Sequence, residues 1–88
     1  MCTAICETTA IRGFGRGQRG WFPVTQATVA FDHTSHGEAE HALLLDFANY
    51  DLGTDARVAL ELDLASGRAL LERLRAALEA AEATGLPG

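Results

Sequence analysis

Apolar and polar residues alternate along the first two-thirds of the chain, whereas apolar residues recur every three or four positions along the last third. Alternation is typical of strands, because successive side chains of a strand point to opposite faces, and the longer spacing is typical of an amphipathic helix. The pattern predicts four strands, over about residues 3–12, 21–33, 41–49 and 56–62. It predicts one helix over about residues 64–84.

The predicted helix has an apolar stripe and signals for both of its ends. Asp63 or Ser66 can cap its first turn, and Gly85 with Pro87 ends it. The stripe consists of Leu70, Leu71, Leu74, Leu78 and Ala81. We expect the stripe to lie on the sheet, which makes the fold α+β: a four-stranded antiparallel β-meander with one C-terminal α-helix packed on one face.

The segment between the first two predicted strands contains four glycines in eight positions, Gly13 to Gly20, and is predicted to be a loop. Part of it matches G-x-G-x-x-G, but a dinucleotide site needs a helix to follow, and the residues after Gly20 predict a strand. Arg16 and Arg19, helped by Arg12, could instead bind the carboxylate or phosphate of an anionic small molecule. The alternative is a flexible hairpin loop that arginine keeps soluble.

With 88 residues the chain is predicted to be a single domain, residues 1–88. A domain of this size buries only about 60 to 65% of its unfolded surface and is marginal alone, so we expect a homodimer. The sheet face away from the helix is predicted to carry mostly small residues, namely Ala4, Cys6, Ala10, Ala30, Ala48 and Ala59. This face or a sheet edge is the expected dimer interface, and a solvated face is the alternative.

Charge and hydropathy exclude two classes of partner. The net charge is −5, with seven basic residues against twelve acidic ones, which argues against nucleic-acid binding. No apolar run approaches the roughly 20 residues of a membrane helix, and the first residues lack the features of a secretory signal, so a cytoplasmic protein is expected. Cys2 and Cys6 are then expected to be reduced and to pack as small buried residues.

All three histidines of the chain, His33, His36 and His41, lie close together between the second and third predicted strands. If these strands form a hairpin, the register that puts their bulky residues on one face pairs Phe31 with Leu43. The same register places His33 directly opposite His41, with Cβ atoms about 4.5 to 5.5 Å apart.

Three interpretations of this cluster remain open. A divalent transition metal such as zinc, copper or iron could be bound by the histidines His33, His36 and His41 with Glu38 or Glu40, and could support a small-molecule reaction. Without a metal, His33 or His41 could act as a catalytic acid or base beside Glu40 or Glu38. In the third interpretation the histidines cap the hairpin, Asp32 makes a turn contact and the glutamates are solvated. The protein would then be a binding or accessory module that uses the arginines.

Several short motifs resemble those of a family of small actinobacterial proteins of unknown function. They are the opening Met1-Cys2-Thr3, Gly20-Trp21-Phe22, Asp32-His33 with His36, Glu40-His41-Ala42-Leu43, Asp46-Phe47 with Asn49, and the stretch from Ala56 to Leu62. A proline often follows the Asp-His pair in that family, where this chain has Thr34. The resemblance covers most of the chain and implies a bacterial, cytoplasmic setting, but no activity and no catalytic residues.

Overall fold

A computed structural model describes residues 5–34 and 40–88 of the chain. Its elements follow in the order β1 (Ile5–Gly17), β2 (Gly20–His33), β3 (His41–Ala48), a 3-10 turn (Tyr50–Leu52), β4 (Arg57–Leu62) and α1 (Leu64–Thr84). The four strands form one antiparallel sheet in the order β1-β2-β3-β4. The predicted α+β fold, a meander followed by one helix, is therefore confirmed. Residues 3 and 4, the predicted start of the first strand, lie outside the described residues.

The pairing of β2 with β3 follows from their bulky residues. Phe31 lies opposite Leu43 and Val29 opposite Leu45, as the sequence pattern predicts. Leu45 in turn lies opposite Leu60 of β4. A slip of one residue would turn all these side chains to the other face, so the hydrophobic pattern specifies the register.

The glycine-rich segment does not form the predicted loop. β1 continues through it to Gly17, and only Gln18 and Arg19 separate β1 from β2. The register shifts by one residue between Ala10 and Gly13, after which Gly15 pairs with Phe22. The prediction of a loop over residues 13–20 is wrong, because the glycines belong to a long, irregular hairpin.

Close packing by β2 side chains explains these strand glycines. A Cβ atom on Gly15 would lie 2.9 Å from Cγ2 of Val24, and a Cβ on Gly17 would lie 3.1 Å from Cε1 of Phe22. Glycine in a strand commonly marks such a close approach, and an aromatic neighbour can cover the backbone that the glycine exposes. Composition alone does not reveal this use, since the same glycines suit a loop.

The main buried cluster lies at the end of the sheet near this hairpin. Phe22, Val24 and Ala56 are buried together, and Phe47 and Val58 pack against them while remaining partly exposed. The cluster joins the start of β2 to the segment between β3 and β4. It is distant along β2 from the histidines, which lie at the other end of that strand.

α1 begins and ends as predicted. The backbone N–H of Ser66 donates to Oδ1 of Asp63 at 2.6 Å, so Asp63 is the N-cap, and Gly85 ends the helix in the left-handed conformation with φ of 73°. The helix packs on the sheet near Gly67, where an added Cβ would lie 2.5 Å from Cδ2 of Leu43. Glycine thus lets the first turns approach β3 closely.

The Asp63 cap predicts a pH-dependent helix. Hydrogen bonds from Ser66, chiefly from its side chain and then from its backbone, lower the pKa of Asp63 from its usual range. A carboxyl whose pKa is lowered by folding stabilises the fold above its unfolded-state pKa, and this contribution is lost as pH falls through the folded-state pKa. We expect far-UV circular dichroism to show α1 fraying on acidification.

An Asp63→Asn variant provides the control, because its amide oxygen accepts the Ser66 hydrogen bond at every pH. The wild-type protein should lose helical signal more steeply than this variant as the pH is lowered. Identical acid titrations for the two proteins would assign the acid sensitivity to other carboxyl groups.

Candidate metal site at the end of the second hairpin

The candidate site is built where β2 ends and β3 begins. His33 is the last residue of β2, His41 is the first of β3, and the two are directly paired in the ladder, as the sequence predicts. Their ring centroids lie 4.5 Å apart with 31° between the ring planes. The backbone register alone therefore brings two imidazoles into contact.

Phe31, two residues before His33 on β2, supports this histidine pair. Its ring is stacked on that of His41, with centroids 5.6 Å apart and an interplanar angle of 20°. His41 is half-buried, whereas His33 is exposed. The half-buried ring therefore has an apolar support, and its neighbour keeps more freedom to turn towards a ligand.

Glu40 brings a carboxylate to the same place. Its backbone carbonyl accepts a hydrogen bond from the N–H of Thr34 at 3.2 Å, which closes the hairpin one residue beyond the histidine pair. One ligand atom each from His33, Glu40 and His41 can be chosen so that all three lie within 4.8 Å of one another. His36 and Glu38, the other predicted metal ligands, lie outside the described residues.

The three possible ligand atoms are farther apart than the ligands of an occupied metal site. Nitrogen and oxygen ligands about 2.0 to 2.2 Å from a tetrahedral ion are roughly 3.4 Å apart. The ligand atoms would therefore have to move closer together by up to about 1.4 Å, and the exposure of His33 and Glu40 leaves room for this rotation. Two imidazoles and one carboxylate are a donor set that suits zinc or non-haem iron.

Asp32 makes a short hydrogen bond to the backbone of the first histidine. Its Oδ1 accepts a hydrogen bond from the backbone N–H of His33 at 2.7 Å. This contact joins neighbouring residues at the end of β2 and is compatible with all three interpretations of the cluster. It restrains the backbone at the end of β2.

A family model described as a family of unknown function, DUF6295, matches residues 1–87. The chain belongs to this family. The resemblance drawn from its short motifs, to a family of unknown function, is thereby confirmed. None of the curated proteins and none of the solved structures compared with the DUF6295 chain matches it.

The two predicted anion-binding residues of the DUF6295 chain, Arg16 in β1 and Arg19 in the turn that follows, lie at the opposite end of β2 from the histidines. Nε of Arg19 is 3.0 Å from Oδ2 of Asp55, although the Arg19 side chain is 86% exposed. Arg16 lies opposite Trp21 in the β1–β2 ladder. Anion binding by Arg16 and Arg19 stays a prediction, since an exposed ion pair such as that of Arg19 with Asp55 contributes little.

Cys6 differs from its prediction. The sequence predicts a small buried side chain, whereas Cys6 is exposed and carries a free thiol. Its neighbours on the sheet explain the error, since Cys6 pairs with Ala30 on a strand whose outer edge is uncovered. Cys2 lies outside the described residues.

Over residues 5–34 and 40–88, the helices fall short of the length and apolarity that crossing a membrane requires.

Proposed function

We propose that His33, Glu40 and His41 bind one divalent transition-metal ion at the end of the β2–β3 hairpin. The observation that carries the proposal is the direct pairing of His33 with His41, which places two imidazoles 4.5 Å apart next to a carboxylate. Imidazole binds zinc, copper and iron, and a neighbouring carboxylate supplies a harder donor and a compensating charge.

Three protein ligands would leave part of the coordination sphere open. Sites of this kind differ from closed structural sites because water or a small molecule can occupy the remaining position. The exposure of His33 and Glu40 gives such a molecule direct access from solvent. The proposed role is thus a metal site that supports the chemistry of a small molecule, with Phe31 supporting the His41 ring.

Calorimetric titration with Zn²⁺, Cu²⁺ and Fe²⁺ tests the proposal on untagged protein. We expect binding of one ion per chain, and a rise in the thermal unfolding midpoint when the ion is in excess, because a ligand that binds only the folded state stabilises it. Changing either His33 or His41 to Ala should weaken binding by about 100-fold or more, since each removes a ligand rather than a supporting contact. Occupancy should fall on acidification, because protonated imidazole cannot bind the ion.

Asp51→Ala is the matched control, since Asp51 is an exposed carboxylate in the 3-10 turn, away from the hairpin end. It should leave the affinity unchanged, whereas Glu40→Gln should lower it. Absence of binding by the wild-type protein would overturn the proposal. A lower unfolding midpoint in metal-free His33→Ala would then favour capping histidines, and an unchanged one would leave proton transfer by His33, His41 and Glu40 as the alternative.

A further inference from the structure

The apolar stripe of α1 is uncovered along most of its length. Apart from Gly67, every residue of the helix is exposed. The leucines that the pattern predicts to lie on the sheet, namely Leu70, Leu71, Leu74 and Leu78, are 46 to 56% exposed. Packing near Gly67 therefore covers the beginning of the stripe, and the remaining leucines stay about half exposed in the single chain.

A cleft between α1 and the sheet continues this apolar surface. It has a volume of about 570 Å³ and is lined by bulky sheet residues, Val29, Leu43, Leu45 and Phe47, and by helix residues from Leu64 to Leu74. A small molecule could fill the cleft but would leave Leu78 uncovered. A second helix of the same length, roughly 30 Å, could cover both the cleft and the stripe.

The single chain exposes more surface than a compact monomer of its mass. Its accessible surface is 7037 Å². A compact monomer of this mass exposes about 5,000 Å² by the usual scaling, so the chain has an excess of roughly 2,000 Å². Stable interfaces bury about 800 Å² per partner, and obligate dimers bury more. The excess is thus large enough for a stable dimer interface, and no described side chain is less than 2% exposed in the single chain.

The order of charges along α1 favours one arrangement of two copies. Arg68 lies near the start of the helix, Glu79 and Glu82 lie near its end, and the Glu72–Arg75 ion pair lies between them. Apart from the Asp63 cap, this order opposes the helix dipole, which favours acidic residues at the start and basic residues at the end. Two antiparallel helices crossing near Leu74 would place Arg68 of each beside Glu79 of the other, and would also oppose their dipoles.

We propose that the DUF6295 chain forms a two-fold symmetric homodimer in which the α1 helices pack antiparallel through their leucine stripes, each covering the partner's cleft. The interface differs from the small-residue sheet face predicted from the sequence. That face carries the Asp46–Arg57 ion pair, with Nε 2.8 Å from Oδ1, and this charged pair favours contact with water. The dimer and the metal site are separate proposals, because the proposed metal ligands lie at the hairpin end and not on α1.

Sedimentation velocity and light scattering on the full chain at micromolar concentration test the dimer. The expected mass is twice the 9.4 kDa of one chain. Leu74→Glu should raise the dissociation constant by about 100-fold or more, because it puts a charge at the centre of the apolar interface. Ala76→Glu is the matched control on the opposite side of the helix and should remain dimeric.

Charge reversal tests the antiparallel arrangement separately. Arg68→Glu and Glu79→Arg each make both symmetric contacts repulsive. Each should raise the dissociation constant of the dimer by roughly tenfold. The double variant should recover most of the affinity, and circular dichroism should show α1 intact in all three proteins. A wild-type protein with the mass of one chain would overturn the dimer. A dimer unaffected by Leu74→Glu, or a double variant weaker than both single ones, would overturn this interface.

Discussion

Replacing Phe22 with alanine is expected to lower the free energy of unfolding by about 3 to 5 kcal/mol, the range for removing a large buried aromatic side chain. Phe22 is 7% exposed and forms the buried cluster with Val24 and Ala56. Its ring also lies over Gly17, which has no side chain of its own to cover β1. The substitution therefore leaves a cavity and uncovers the glycine-rich half of the first hairpin.

Urea denaturation at fixed protein concentration measures this loss, since the concentration of an associating protein alters its apparent stability. Hydrogen exchange should show the largest loss of protection in β1 near Gly15. Phe14→Ala is the control, because Phe14 lies in the same hairpin but is 74% exposed, and we expect a change within about 0.5 kcal/mol. Equal effects of the two substitutions would contradict the proposed support of β1 by Phe22.

The β2–β3 hairpin could be predicted in detail because one register satisfies all of its bulky residues. Its bulky residues permit one register, and that register also pairs His33 with His41. The end of α1 was equally clear, since Gly85 adopts the left-handed conformation that glycine favours. Local chemistry and burial on a single face both act between neighbouring residues, so the sequence displays them directly.

Packing between elements could not be predicted from the sequence. Glycines suit a loop, and only the position of Phe22 across the hairpin makes them suitable for β1. The stripe of α1 predicts a core surface, yet its leucines from Leu70 to Leu78 are about half exposed in the single chain. The contact between Arg19 and Asp55 depends on a turn meeting the segment before β4. Each of these features depends on how one element packs against another, which periodicity does not reveal.

Asn49→Ala should lower the free energy of unfolding by about 2 to 3 kcal/mol, because two backbone groups lose their hydrogen-bond partner at a buried position. Asn49 is 7% exposed and lies between β3 and the 3-10 turn. Its Nδ2 donates to the carbonyl of Pro23 at 3.0 Å, and its Oδ1 accepts from the N–H of Asp51 at 3.1 Å. One side chain thus connects β2 to the turn that leads into β4.

Asn49→Asp separates the two hydrogen bonds. The carboxylate still accepts from Asp51, but at neutral pH it faces the Pro23 carbonyl without a proton to donate, so we expect most of the loss seen with alanine. Protonation restores a donor, which means that folding raises the pKa of the new carboxyl and favours its protonated form. The stability of the variant relative to wild type should therefore recover as the pH falls. Denaturation curves that show the same deficit at neutral and acidic pH would mean that the Pro23 contact contributes little, and that Asn49 acts mainly by capping the 3-10 turn.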